Sequence, residues 1–253
     1  MRILYIAPGP VSHTSFGAAE MARRGRILRE HAFPGTEVDI DDVAQGPASI
    51  ESAYEEYLSV PAVVERAVAA EVEGYDAVIV GCFGDPGLDA LREMVNVPVV
   101  GPGESSCLVA ASLGHRFSIL TIMKSTIGPT RHQVVRIGLS DSLASIRSVD
   151  TPVLELMADH NRTVARFAAE GRRALEEDGA DTLILGCMTS GFMMTADSLS
   201  RELSVPVVNP AVVSLKYAEM LIGGGLRHSR LAYMVPPKLA SGKVKNLSAL
   251  LIR

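Results

Sequence analysis

Gly74-Tyr75-Asp76-Ala77-Val78-Ile79-Val80-Gly81-Cys82 aligns without gaps on Gly179-Ala180-Asp181-Thr182-Leu183-Ile184-Leu185-Gly186-Cys187. Glycine, aspartate, isoleucine, the second glycine and cysteine are identical, and the other strand positions exchange apolar residues, except Ala77 against Thr182. Downstream of each copy, beyond an expected helix, Val97-Pro98-Val99-Val100 matches Val205-Pro206-Val207-Val208. Upstream, Arg2 to Ile6 echoes Arg116 to Leu120. Similarity that extends on both sides of a strand marks an internal duplication: two similar α/β units facing each other across a cleft.

The rest of the chain fits this reading. Short apolar runs at Ile3 to Ala7, Ala77 to Val80, Val97 to Val100, Phe117 to Ile122, Thr182 to Leu185 and Val205 to Val208 have the character of strands buried on both faces. Between them lie segments with helical spacing, such as Val64, Ala67, Val68 and Val72 ahead of Gly74, or Val164, Phe167, Ala168 and Leu175. Alternating strands and helices predict α/β domains with mostly parallel sheets. The duplication divides the chain into a first domain of residues 1–103 plus 210–253 and a second of 104–209, pseudo-symmetric, with the active site between them.

Composition narrows the function. The 253 residues are 47% hydrophobic and 21% charged, with 22 Gly, 14 Pro, three Cys and no Trp, which excludes disorder and a disulfide scaffold. A net charge of −5 gives no reason to expect nucleic acid or an anionic membrane as partner. The opening apolar run is too short for a signal-peptide core or a membrane span. Cys82, Cys107 and Cys187 form no Cys-x-x-Cys pair, so no zinc or iron–sulfur spacing is present. A reducing cytoplasm is the expected compartment. There is no dinucleotide-binding glycine motif, no phosphate loop and no serine-nucleophile elbow.

In a parallel α/β sheet, ligands collect beyond the carboxyl ends of the strands, where Cys82 and Cys187 both fall. Asp85 followed by Pro86 reads as the N-cap and first residue of the next helix. A thiol near such a helix start is expected to have a lowered pKa. The turn Cys187-Met188-Thr189-Ser190-Gly191 supplies hydroxyls in the equivalent place. Cys107, within an expected helix and unduplicated, reads as packing. Two opposed thiols without metal or cofactor motif suit racemisation, in which one base removes a proton and a conjugate acid returns another to the opposite face. Backbone N–H groups at the two helix starts are expected to hold the developing enolate charge. His13 lies in a candidate cleft loop, and Lys124 reads as a solvated loop lysine.

Gly81-Cys82-Phe83-Gly84-Asp85-Pro86-Gly87-Leu88, followed by Val97-Pro98-Val99-Val100-Gly101 and Glu104, closely resembles hydantoin racemases of the aspartate/glutamate racemase superfamily; allantoin racemases share much of it. The resemblance covers roughly residues 74 to 121, Gly186-Cys187, and Ser229 to Lys238 around Tyr233 and Pro236. It implies two pseudo-symmetric domains, cofactor-independent racemisation by Cys82 and Cys187, a small-molecule substrate and a homo-oligomer. It also places Phe83, Gly84, Met188 and Thr189 against the substrate, with Thr121 ending a strand that points into the cleft. Two stretches depart from the family pattern at the substrate pocket. Ala7-Pro8-Gly9-Pro10 replaces an Asn-Pro-Asn segment, which makes Pro8 and Gly9 substrate-facing residues, and Met188-Thr189-Ser190 replaces Ala-Gly-Met.

A 5-substituted hydantoin suits a lone thiolate, because its C5–H lies next to an imide carbonyl and the carbanion is delocalised. A free amino acid is harder to deprotonate and calls for further help near each Cys, which Asp85 alone suggests. The alternatives are allantoin or amino-acid racemisation, a maleate-type isomerase, and an arylmalonate-type decarboxylase. A solute-binding protein with two lobes predicts an export signal and no paired thiols.

Overall fold

The computed structural model of the chain describes residues 1–243. It begins with β1 (Arg2–Ala7), α1 (Gly17–His31), β2 (Glu37–Asp42), α2 (Ala53–Val72), β3 (Ala77–Val80), α3 (Leu88–Met94), β4 (Val99–Val100) and α4 (Pro102–Leu113). It continues with β5 (Phe117–Thr121), α5 (Ile127–Arg136), β6 (Leu143–Ser148), α6 (His160–Asp178) and β7 (Thr182–Leu185). Then come α7 (Met188–Phe192), α8 (Ala196–Leu203), β8 (Val207–Val208), α9 (Pro210–Gly223) and a short α10 (Pro237–Ala240). The strands form two all-parallel sheets of four, ordered β2-β1-β3-β4 and β6-β5-β7-β8. The repeat in sequence is therefore a repeat in topology.

Each identity in the repeat has a structural cause. Gly74 and Gly179 stand at the ends of α2 and α6 with φ of 81° and 70°, a left-handed conformation that Gly adopts without penalty. Asp76 accepts the Arg2 N–H at 2.7 Å, and Asp181 accepts the Arg116 N–H at 3.1 Å, so each aspartate fixes the start of its central strand. Ile79 and Ile184 are fully buried. Gly81 and Gly186 donate to Ile6 and Leu120 carbonyls at 2.7 and 2.8 Å. A methyl group on either would come within 3 Å of the neighbouring central strand. The two prolines of Val-Pro-Val-Val accept the N–H of Val78 and Leu183 at 3.0 and 2.9 Å, beginning the pairing of the last strand.

The two units exchange parts. Helix α4 follows β4 yet packs against β5 and β7, while α9 follows β8 and returns to β3, β4 and α1. The residues after the two repeated cysteines also cross. Phe83 packs with Phe117, Ile119, Val134 and Ile184 of the second unit. Met188 and Phe192 pack with Tyr5, Ile79, Val100 and Leu215, on the first sheet and α9. The opposite faces are closed by α2 and α3 on the first sheet and by α6 and α8 on the second. We propose 1–103 plus 210–253 against 104–209 as the domain division on the strength of this helix crossing; residues 244–253 of it lie outside the described residues.

Two strands are absent from the apolar-run reading. In β2 and β6 charged and polar residues alternate with Val38, Ile40 and Ile146, because each lies at a sheet edge and only one face is covered. The runs at 97–100 and 205–208 shorten to two-residue strands, since Pro98 and Pro206 carry no N–H for the ladder. Val72, expected on the buried face of its helix, is 86% exposed at the last residue of α2.

Candidate active site

A cavity of about 110 Å³ opens between the carboxyl ends of the two sheets. Cys82 reaches it from the turn after β3, with Phe83 and Gly84; Cys187 reaches it from the turn after β7, with Met188 and Thr189. Pro8 and Gly9 come from the turn after β1, and Thr121 is the last residue of β5. The chain thus brings these nine residues to one cavity, from opposite units. Cys107 is fully buried in α4 against the second sheet. His13 is exposed on a short 3-10 turn and does not line the cavity. Lys124 is exposed and pairs with Asp150 at 3.2 Å.

Asp85 overturns the helix-cap expectation. It has a left-handed φ of 54°, and α3 starts only at Leu88 after Gly87, with no side-chain cap. The Asp85 carboxylate instead accepts the N–H of Gly103 at 2.9 Å and of Glu104 at 2.7 Å, capping α4. Gln133, on α5, donates its side-chain amide to Asp85 at 2.7 Å and to the Phe83 carbonyl at 2.8 Å. Burial pushes the Asp85 carboxyl up to about 7 against the pull of these three donors.

On the other side, Cys187 is the residue from which α7 starts. Its carbonyl accepts the Ser190 hydroxyl at 2.7 Å and the Gly191 N–H at 3.0 Å. Arg24 is buried on α1, donates to Thr189 Oγ1 at 3.0 Å, and pairs with Glu20 one turn back at 2.9 Å. Glu20 also holds Arg23, whose guanidinium reaches the Phe192 carbonyl at 2.9 Å. The arginine is therefore committed to internal partners at the cavity wall. Across the cavity, Glu56 from the first turn of α2 presents a carboxylate with no salt-bridge partner among the described residues. A methyl group on Gly84 would stand 3.5 Å from a Glu56 oxygen and 3.8 Å from the Cys82 sulfur, so Glu56 and Cys82 flank one glycine. Burial raises the Glu56 carboxyl above its ordinary value, with the charge of Arg136 opposing.

The expectation of lowered thiol pKa values is also overturned. Burial pushes both Cys82 and Cys187 up, and that cost exceeds the pull of the N–H donors around them.

Arg24, Glu56 and Gln133 escape the sequence reading. Ser52-Ala53-Tyr54-Glu55 is a capping box that starts α2 and so places Glu56. Glu20 and Arg24 stand four apart on one helix face, a spacing that marks an ion pair. Gln133 carries no local signal: its role arises from a contact across 48 residues of chain.

Among the described residues, no three His, Cys, Asp or Glu side chains form a group able to hold a metal ion, and no helix is long and apolar enough to cross a membrane. Two thiols that reach one cavity from opposite units can take a proton from one face of a small molecule and return one to the other. Comparison with known proteins agrees with that chemistry. The chain is 41% identical to a hydantoin racemase of Pseudomonas sp. (strain NS671) over 76% of its own length and 77% of the relative's. It is 32% identical to the hydantoin racemase of Rhizobium meliloti over 94% and 96% of the two chains. An allantoin racemase from Klebsiella pneumoniae superposes with a TM-score of 0.85 at 32% identity, covering 94% of each chain. Residues 17–218 match the Asp/Glu/Hydantoin racemase family as a whole. The chain belongs to the Asp/Glu/Hydantoin racemase family and is a racemase of that superfamily.

Proposed function

We propose that this enzyme racemises 5-substituted hydantoins without a cofactor, moving the C5 proton between Cys82 and Cys187. The observation that carries the reading is that the two repeated strand-end thiols line one cavity from opposite units. In one direction the thiolate of one cysteine takes the C5 proton and becomes a thiol, and the carbanion is delocalised onto the adjacent imide carbonyl. The thiol of the other cysteine then gives its proton to the opposite face and becomes the thiolate. One proton is taken and one returned.

The cavity wall favours a neutral ring over an amino acid. A dicarboxylic amino acid needs free cations, whereas Arg24 is already paired with Glu20 and bound to Thr189. Glu56 adds a carboxylate, unpaired among the described residues, that would repel a second one and would accept a ring N–H. The hydantoin racemases among its relatives support the same substrate class. Allantoin carries the same ring, and the allantoin racemase likeness makes it the second substrate to try. A homo-oligomer in a reducing cytoplasm is the proposed working form, and sedimentation of the purified protein checks the assembly.

The test is incubation with single enantiomers of 5-substituted hydantoins, allantoin, aspartate and glutamate in D₂O, following optical rotation and deuterium at the stereocentre. Loss of rotation with deuterium uptake in hydantoins supports the proposal. Turnover of aspartate or glutamate alone would overturn it.

A further inference from the structure

The loops that follow the two edge strands are counterparts in the repeat: residues 43–52 run from β2 to α2, and residues 149–159 from β6 to α6. Both line the cavity. Pro47, Ala48, Ser49, Ile50 and Ser52 come from the first loop and Val153 from the second. Ala48 is exposed while also lining the cavity, so this stretch is a wall between the cavity and solvent. It rests on the turn after β1, where a methyl group on Gly9 would overlap the Pro47 carbonyl oxygen.

One residue joins the two loops. The Glu51 carboxylate accepts the Val153 N–H at 2.8 Å and the Ser49 hydroxyl at 3.2 Å. Its carbonyl accepts the hydroxyl of Ser125, in the turn after β5, at 2.6 Å. Its own N–H donates to Glu55 at 2.8 Å, within the capping box that starts α2. Glu51 therefore ties the wall, and the first turn of α2 with Glu56, to the second unit. Ser125 is exposed and Glu51 half-buried, so these bonds lie at the surface, where local opening costs far less than unfolding.

We propose Glu51 as the positioning residue that closes the active-site cavity: through Val153 and Ser125 it holds the wall of the first unit against the second, and its release admits small molecules to the thiols. The proposal rests on the reading of this cavity as the place of reaction. Closure of this kind shields the carbanion from solvent between the two proton transfers. Loss of a hydrogen bond to a charged acceptor shifts an equilibrium about tenfold or more, so closure should depend steeply on this one carboxylate.

Alkylation of the free protein reads the opening, since iodoacetamide must enter the cavity before a thiolate displaces its iodide and forms an S–C bond. Each cysteine-containing peptide is quantified by mass spectrometry at one pH, and hydrogen exchange is followed at the Val153 amide. Glu51→Ala should speed labelling of Cys82 and Cys187 about tenfold, and exchange at Val153 likewise. Cys107, buried in α4 outside the cavity, should keep the parent rate. Glu51→Gln should restore both readings, because its side-chain carbonyl still accepts the Val153 N–H. As glutamine carries no charge, that rescue separates the hydrogen bond from the charge. Ser125→Ala should speed the two cavity thiols by a smaller factor while leaving the carboxylate in place. Cavity thiols that label at the parent rate in Glu51→Ala and Ser125→Ala, or a rise shared equally by Cys107, overturn the proposal. Labelling and exchange need no turnover, so a protein that opens as expected but leaves hydantoins unracemised counts against the substrate reading alone.

Discussion

The side-chain amide of Gln133 donates to the carboxylate of Asp85 at 2.7 Å, joining α5 of the second sheet to the turn that carries Cys82 in the first. The same amide holds the Phe83 carbonyl, and the same carboxylate caps α4. One buried network thus fixes the Cys82 turn, the start of α4 and the junction between the units. Asp85→Ala would leave the N–H groups of Gly103 and Glu104 without their acceptor and the Gln133 amide with the Phe83 carbonyl alone. The expected cost is about 3 kcal/mol, since each unsatisfied buried donor costs about 1–3 kcal/mol and water recovers part of the sum. Urea unfolding measures it, and racemisation should fall as the Cys82 turn loses its anchor. An unchanged midpoint would show that the network is not needed.

The three cysteines provide a matched set of variants. Cys82→Ser and Cys187→Ser should each lower racemisation at least about 100-fold, the range in which a positioned general acid or base acts. Cys107→Ser and Cys107→Ala should retain it, with a loss of stability of about 1 kcal/mol for a sulfur removed from a packed core. Racemisation retained by either of the first two variants would sink the two-base reaction.

The exchange of side chains between units predicts that the cores are coupled. Phe192, fully buried, packs with Tyr5 at a centroid distance of 5.7 Å and an interplanar angle of 77°. Phe192→Ala should cost about 3–5 kcal/mol, as expected for a buried aromatic truncated to Ala. Its effect should appear in the unfolding of the first sheet, although Phe192 belongs to the second half of the chain. Hydrogen exchange at β1 and β3 amides tests this, and protection there identical to the parent protein would refute the coupling.

The pH dependence of activity has a definite sign. Burial raises both thiols, so few pairs carry a thiolate at neutral pH and their number grows as pH rises. The value of kcat/KM for a hydantoin should climb about tenfold per pH unit below the first ionisation of the pair and level off in the alkaline range. An activity flat from acid to neutral pH would mean that the thiolate forms with far less cost than its burial implies.

Much of the architecture was legible because the chain states it twice. Gly-x-Asp, Ile, Gly-Cys and Val-Pro-Val-Val each perform a local task, such as ending a helix, fixing a strand start or clearing a close approach, so the residues alone announce them. The edge strands β2 and β6 were not legible, since their covered face depends on neighbours far along the chain. Both thiols were readable as strand-end residues at a ligand-binding edge, and the structure brings them to one cavity.

By itself, the sequence determined the duplication, the parallel α/β class and the place of Cys82 and Cys187, because short-range periodicity and turn chemistry decide these. Tertiary structure decided the rest. Asp85 follows the pattern of a local helix cap yet caps a helix starting at Pro102, and the thiols expected near neutrality are raised by burial that no local motif records. Arg24 and Glu56 acquire meaning only when folding sets both at the wall of one cavity. Charge and solvent exclusion act through space, and the distance between two residues in space is not written in their separation along the chain.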